Sequence, residues 1–442
     1  MIYSDQSPIT FHDPLPEAVD VVVIGAGIAG ISTAYFLAQK GQKVLVCEKG
    51  RVAGEQSSRN WGWIRQQGRD LDELSIMQES IHLWQNFDQL IGDDLGFSQQ
   101  GIIYLADDEK TFAADQQWAE DVKGSGLDIR PLTSSQVADL IPGSTKKWHA
   151  GTYTPTDARG EPTQSVPAIA RLCQSNGVVI RENCAVRTIQ KSGGQITAVV
   201  TEEGPVQCSA VVCATGAWSS LFLRNLGIDL PQLAVRVTVS RTAPAPNVTN
   251  VNAADGELSF RRRQDGGYSV ALTDYHEHFI TRDSWKYLTK FLKSFSASYQ
   301  DTKLRFLKDS SAVQPSFKAW HESESPFERQ RVLNPDPCVY SMKTIRKRLD
   351  ERFPALRGIP IAESWAGMIE STPDVVPVLD EVPGNAGLYV ATGFSGHGFG
   401  IGPGAGRVMA DLILGNDVGH KMERFRFNRF SDGSPLILGP AL

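Results

Sequence analysis

The stretch from Val21 to Glu48, VVVIGAGIAGISTAYFLAQKGQKVLVCE, leaves this chain few folds to choose from. It opens with a solid apolar run, Val21 to Ile24, of the kind that forms a strand buried on both faces. Gly25, Gly27 and Gly30 follow at the G-x-G-x-x-G spacing. The first permits a tight turn, the second lets backbone amides approach a pyrophosphate, and the third lets the next helix pack close on the strand. That helix is predicted to begin near Ile28, so the N–H groups of Ile28 and Ala29 and the positive end of the dipole face any phosphate bound there. Gly41 ends the helix, Val44 to Val46 forms a second strand, and Glu48 closes it with a carboxylate placed for ribose hydroxyls. A bare glycine turn of this spacing is a weak signal. Strand, glycines, helix, second strand and acid standing in order make a dinucleotide site the expectation over a merely structural turn. The acid also disfavours a dinucleotide with a 2′-phosphate, which it would repel.

Composition bounds the rest. A chain of 442 residues, 41% hydrophobic and 21% charged, has ample core for a globular enzyme of two or three domains. A net charge of −6 gives no global pull toward nucleic acid or an anionic membrane. The six cysteines are scattered, form no C-x-x-C pair and lie mostly in apolar runs, which fits buried thiols in a reducing compartment. The N-terminus carries acids and prolines instead of an apolar signal core, and no apolar run approaches the ~20 residues of a membrane helix. The expected location is the cytoplasm, with peripheral membrane attachment left open. Histidines and cysteines show no metal-ligand spacing, so no metal is expected.

Residues before Asp20 read as a loose arm. Helical periodicity predicts helices over Leu74–Ile91, Glu109–Lys123, Ser134–Leu140, Val166–Cys173, Ser284–Tyr299 and Ser341–Phe353, the last with a charged face read as solvated. Strands are expected at Gly101–Ala106 and Val178–Ile180, with an antiparallel meander from Val186 to Ala214. Its last run, Ala210–Ala214, is apolar throughout, like a central strand, and ends in Thr215-Gly216-Ala217-Trp218. Val235, Val237 and Val239 alternate as in a half-exposed strand, and Ser259–Thr273 reads as a hairpin turning at Asp265-Gly266-Gly267. Near the end, strand Gly387–Ala391, a glycine-rich loop Thr392–Gly404 and helix Gly404–Leu414 repeat the opening logic of a helix N-terminus aimed at something bound.

The opening block, the Ala214–Trp218 turn and Thr392-Gly393-Phe394-Ser395-Gly396-His397-Gly398 together resemble the flavin-dependent amino acid and amine oxidase superfamily. This is the group of glycine oxidase, D-amino acid oxidases and dehydrogenases, sarcosine oxidases and bacterial L-amino acid deaminases. The likeness runs through nearly the whole chain and is weakest from His276 to Asp350. The run Gly54-Glu55-Gln56-Ser57-Ser58-Arg59 looks most like the deaminase and sarcosine-oxidase branches.

The resemblance implies an α/β protein (α+β overall) with a Rossmann-like FAD-binding domain in three pieces, 18–100, 157–232 and 358–442. A mixed-sheet substrate domain, 101–156 and 233–357, would be inserted between them. It implies that Glu48 and Lys49 lie at the ADP moiety, Val186 at the adenine, and Ala214, Thr215, Gly216 and Trp218 beside the dinucleotide. Gln56, Ser57, Ser58 and Arg59 would run along the pyrophosphate and flavin, and Gly393 to Gly398 over the pyrimidine edge. Covalent sarcosine oxidases carry a flavin-linked cysteine at a set distance before their Thr-Pro-Asp; here Thr372-Pro373-Asp374 has Gly367 at that spacing, so FAD should be non-covalent. The same oxidases place one lysine where this chain has Gly400 and another near Leu272. Both absences argue against fast use of oxygen, and the acceptor is either oxygen or a respiratory or other acceptor.

Oxidation of an amine by flavin moves a hydride from carbon to N5, so the protein must bind, orient and desolvate. An amino-acid carboxylate needs a cationic anchor, and arginine serves bidentately. Arg65, in Trp61-Gly62-Trp63-Ile64-Arg65, is the first candidate, against a plain surface or structural ion pair. Arg261, Arg262 and Arg263 read rather as a solvated hairpin edge. Trp61, Trp63 and Trp365 are pocket walls or ordinary core. His276 resembles a family active-site histidine but equally a hydrogen-bonded structural one, and His397 is a flavin neighbour through its glycine loop. The expected reaction is oxidation of the C–N bond of an amino acid or secondary amine, with the imine product hydrolysed. The alternatives are a flavin dehydrogenase of 2-hydroxy acids or polyols, and a flavin subunit that needs a partner.

Overall fold

The computed structural model describes residues 2–306, 320 and 323–439. The parts of the expected substrate domain at 307–319 and 321–322 lie outside the described residues. Strand Val21–Ile24 has no polar side chain and is buried throughout. It can be so because both its edges are paired in parallel, with Val44–Cys47 on one side and Ala210–Cys213 on the other. These form the centre of a six-stranded sheet in which Leu388–Thr392 and Val179–Arg181 extend the parallel pairing and Val378–Glu381 adds an antiparallel edge. Helices Ile28–Gln39, Leu74–Ile91, Pro162–Ser175 and Gly398–Ile413 share one apolar core with this sheet.

The second sheet has ten strands among the described residues and mixes parallel with antiparallel pairs. Leu233–Thr242 is its spine, and Ile361–Ser371 pairs along nearly the whole of it. The third layer is a small antiparallel meander, Val186–Ser192, Gln195–Thr201 and Gly204–Gln207. The mixed α/β architecture is the one the sequence suggested. No helix among the described residues is long and apolar enough to cross a membrane.

Several local expectations need correction. The arm before Asp20 is packed, because Phe11 is buried in the core and Glu182 accepts from the backbone of Thr10 and Phe11. Leu233–Thr242 is covered on both faces instead of half-exposed. Its polar side is paired: Arg236 with Glu277 at 2.8 Å, Ser240 with Ser364 at 2.8 Å, and Thr238 accepting from the Cys338 amide at 2.9 Å. The charged face of helix Val339–Arg352 is not all solvated, since Arg352 is buried against Asp255 at 2.8 Å. The last large helix starts at Gly398, six residues earlier than its periodicity suggested. Its glycines are helical because they are needed for contact. A Cβ at Gly402 would stand 2.5 Å from Ile28, and one at Gly406 2.4 Å from Ser32, so the two helices can touch only through bare backbone.

Candidate active site

The cavity, of about 600 Å³, runs from the glycine turn of the six-stranded sheet to the face of the ten-stranded sheet. At the first end the wall is largely backbone. Gly25 has φ +102, and a Cβ there would stand 2.5 Å from the Ala214 carbonyl. Gly30 passes so close under the turn that a Cβ would lie 2.0 Å from the Gly25 carbonyl. Helix Ile28–Gln39 starts at Gly27, which has no side chain to cap it, and Ser57 Oγ accepts from the Ile28 amide at 2.9 Å. Glu48 accepts from the amides of Ala26 at 2.9 Å and Gly50 at 2.7 Å, which hold its carboxylate beside the turn. It keeps a face toward the cavity but is otherwise ringed by protein, and burial pushes it up to about 7 against the pull of Lys49 and the two amides.

Gly27, Ile28, Ala29 and Val186 line this end with Glu48. Ala214, Thr215, Gly216 and Trp218 face them across the sheet crest. Lys49, also in the wall, is paired with Glu55 at 2.6 Å and sits 4.4 Å from the Trp218 ring centroid, so it is no free phosphate ligand. Gln56–Arg59 is a single helical turn. Gln56 binds Glu370 and accepts from the Ala217 amide, and Arg59 spans the carbonyls of Ala366 and Tyr3. Three of the expected cofactor residues stand behind the wall: Gly30, Ser58, which donates to the Glu55 carbonyl, and Gly393, packed on Thr372.

The glycine loop forms the middle. Gly367, Phe394, Ser395, Gly396, His397 and Gly398 all line the cavity. His397 is buried, with Nε2 3.0 Å from Glu73 and Nδ1 3.2 Å from the Ser395 carbonyl. Burial and the nearby Arg69 push the imidazole down, whereas the Glu73 carboxyl, which burial alone would raise, is held low by His397, Arg69 and Arg65. Both ring nitrogens thus face oxygen acceptors, the Glu73 carboxylate and the Ser395 carbonyl.

Side chains make the far end. Trp61 and Trp63 meet edge to face at 5.4 Å, and Tyr104 lies 6.3 Å from Trp63. Arg65 stacks 5.6 Å from the Tyr104 ring and donates to the Gln67 carbonyl at 2.8 Å. It has no carboxylate in ion-pair range among the described residues. The buried Asp157 accepts from the amides of Gln66 at 2.7 Å and Gln67 at 3.3 Å, which locks the loop that carries Arg65. His276 is buried in the same wall with Nδ1 unpartnered among the described residues, and burial pushes its imidazole below the usual range. The Trp63 indole N–H is likewise buried without a partner.

Arg261 takes no part in this cavity. It is 1% exposed and forms a bidentate pair with Glu161 at 2.8 and 3.1 Å, which overturns its reading as a solvated edge. Trp365 also stands behind the wall, donating to the Arg59 carbonyl at 2.9 Å. Sequence reading missed Glu73, Tyr104, Asp115 and Glu370. Glu73 meets His397 across 324 residues, a distance no local pattern bridges. Tyr104 and Asp115 did carry a signal, as polar groups at inward positions of a strand and a helix.

The donor set fits FAD. A turn that tolerates no Cβ, a helix N-terminus and an acid with a face toward the cavity suit the dinucleotide half, and a second helix N-terminus at Gly398 suits an aromatic ring system that gains negative charge on reduction. A model of the FAD dependent oxidoreductase family matches residues 20–412. L-amino acid deaminase from Proteus myxofaciens superposes with a TM-score of 0.91 at 29% identity, over 98% of this chain and 100% of that one. Sarcosine oxidase subunit beta of an Arthrobacter species is 25% identical over 95% of this chain and 93% of its own length. 4-Methylaminobutanoate oxidase (formaldehyde-forming) of Paenarthrobacter nicotinovorans is 25% identical over 96% of this chain, which spans only 47% of that longer protein.

Proposed function

Because the chain belongs to the FAD dependent oxidoreductase (DAO) family, we propose that it oxidatively deaminates an L-amino acid and passes the electrons to an acceptor other than oxygen. It is an FAD-dependent enzyme acting on the C–N bond of an amino acid or amine. One observation carries the choice of an amino acid over a plain amine. Arg65 is an aromatic-backed guanidinium that faces the cavity with no carboxylate in ion-pair range among the described residues. The L series is supported by likeness to L-amino acid deaminases from Proteus myxofaciens and Proteus vulgaris.

Bound FAD would supply the chemistry, accepting the hydride that leaves the substrate carbon. The chain supplies position and dryness. Arg65 holds the carboxylate, and Trp61, Trp63 and Tyr104 wall off water. A neutral His276 adds no positive charge at the cavity, so the amine can lose its proton and deliver hydride. Water then hydrolyses the imine to a 2-oxo acid and ammonia. FAD is held non-covalently in this reading, because the cysteines in the wall, Cys47 and Cys184, lie at the Glu48 end. Oxygen is a poor acceptor in this reading because position 400 carries a glycine in place of a lysine. A Cβ at Gly400 would already stand 3.2 Å from the Ile64 backbone, and Ser80 and Trp84 both donate to the Gly400 carbonyl.

The division into a cofactor domain (18–100, 157–232, 358–442) and a substrate domain (101–156, 233–357) belongs to the same proposal. Ile361–Ser371, paired along Leu233–Thr242, stitches the two together. Six free thiols, five of them buried, support a reducing compartment. The test is anaerobic loss of flavin absorbance with L- and D-amino acids, N-methyl amino acids, plain amines and 2-hydroxy acids. Bleaching by L-amino acids, with colour returning slowly in air and quickly with a dye acceptor, is the expected result. Bleaching by hydroxy acids alone, or by D-amino acids alone, overturns it.

A further inference from the structure

Helix Glu109–Asp121 contributes Asp115 to the wall of the substrate end, and no residue of it is fully buried. Its half-buried residues are Phe112, Asp115, Trp118 and Ala119, and Val122 at its C-cap is buried. These positions, three to four apart, are one face of the helix. Both ends of that face are docked by aromatic side chains: Phe112 on the His149 ring, and Trp118 by donating its indole N–H to the Arg69 carbonyl at 3.0 Å. In the middle of this otherwise apolar stripe stands a carboxylate. Asp115 lines the cavity with Arg65, Gly68 and Tyr104, and has neither a hydrogen bond nor an ion pair among the described residues. Burial pushes its carboxyl up to about 6, with no basic side chain near enough to hold it down. The other carboxylate at this end, Asp255, is already neutralised by Lys146 at 2.9 Å and Arg352 at 2.8 Å.

The cavity thus presents an unpaired cation and an unpaired anion that do not pair with each other. An inward-facing carboxylate that breaks an apolar stripe without a local partner is the sort of local inconsistency that marks function. We propose that Asp115 selects substrates carrying a second, distal cationic group, so that the preferred substrates are amino acids with an amino or guanidino side chain. This rests on the amino-acid reading above, with Arg65 holding the α-carboxylate. The amine that reacts is neutral, so the charge Asp115 meets is the distal one.

The test compares near-isosteric pairs on the holoenzyme: L-lysine against L-norleucine, and L-arginine against L-citrulline, by kcat/KM with a dye acceptor. The charged member of each pair is expected to be favoured roughly tenfold, which is what one partly desolvated ion pair gives. In Asp115→Asn the charged-to-neutral ratio should fall to about one within each pair. A ratio near one in the wild type, or one that survives in Asp115→Asn, overturns the proposal. If no amino acid is oxidised, the parent reading fails separately. The charge pairing is then read from binding alone, by titrating 6-aminohexanoate against hexanoate on the flavin absorption band. Tighter binding of the amino compound that is lost in Asp115→Asn upholds the cation site, and equal binding of the two sinks it.

Discussion

At the six-stranded sheet the cavity is walled by backbone that tolerates no side chain, and at the ten-stranded sheet it is walled by side chains that pack on one another. The first end makes few demands on the identity of its ligand beyond a ribose and a pyrophosphate, and it is rigid because Gly25, Gly27 and Gly30 sit between a buried strand and a helix. The second depends on the side chains of Trp61, Trp63, Arg65, Tyr104 and Asp115. Cofactor and substrate recognition are therefore separable by mutation.

The largest effect belongs to the backbone end. In Gly30→Ala the new Cβ would stand 2.0 Å from the Gly25 carbonyl, so strand and helix must part. FAD affinity is expected to fall on the order of 100-fold, giving colourless protein on purification, while far-ultraviolet dichroism keeps its native form. One equivalent of flavin retained by this variant would refute the backbone-cradle reading. Next comes Arg65→Met, with full flavin content expected and kcat/KM on amino acids down about 100-fold, mostly through KM. Amines lacking a carboxylate should lose nothing, and Arg65→Lys should recover only part because it cannot bind bidentately. A uniform loss on both kinds of substrate would mean that Arg65 only supports the loop.

These two variants also mark what the sequence makes visible. The strand, turn, helix and acid of the dinucleotide end lie within the 28 residues from Val21 to Glu48, so they can be read in one pass. The substrate end is assembled across the whole chain. Glu73 reaches His397, and Asp157 holds the loop of Arg65, through contacts that leave no periodic trace. Arg261 shows the opposite failure. Its neighbours in sequence are charged, so it looks solvated, yet the sheet carries it inward to meet Glu161. The early start of helix Gly398–Ile413 has the same origin, since glycine's poor helix propensity is outweighed by contacts that only glycine allows.

A smaller effect, again at the cofactor end, comes from pH. Glu48 titrates near 7 in the apoprotein because burial penalises its charge. Ribose hydroxyls donate better to a carboxylate than to a carboxylic acid. FAD binding thus favours the ionised form, and affinity should weaken as the pH falls through 7 and level off above it. Fluorescence titration of apoprotein with FAD at pH 6 and pH 8 should show this drift. Glu48→Gln should bind about tenfold more weakly at pH 8 and show no drift. A wild-type affinity that is flat across this range would mean that Glu48 is already ionised in the apoprotein.

The smallest effect sharpens the comparison within the aromatic residues, which the sequence could not sort. Trp63 lines the cavity with its indole N–H unpartnered, whereas Trp365 stands behind the wall with its N–H given to the Arg59 carbonyl at 2.9 Å. Trp365→Phe removes one neutral hydrogen bond and leaves most of the apolar contact with Val239 and Ala271. The expected loss is about 1 kcal/mol of stability, read as a small fall in the melting temperature of the holoprotein. Flavin content and the ranking of substrates should stay as they were. Trp63→Phe should do the reverse, keeping the melting temperature while shifting KM, because the buried N–H it removes has no protein partner to lose. If Trp365→Phe changed the substrate ranking instead, the substrate end would extend through its wall to Arg59, and the two ends of the cavity would no longer be separable at that point.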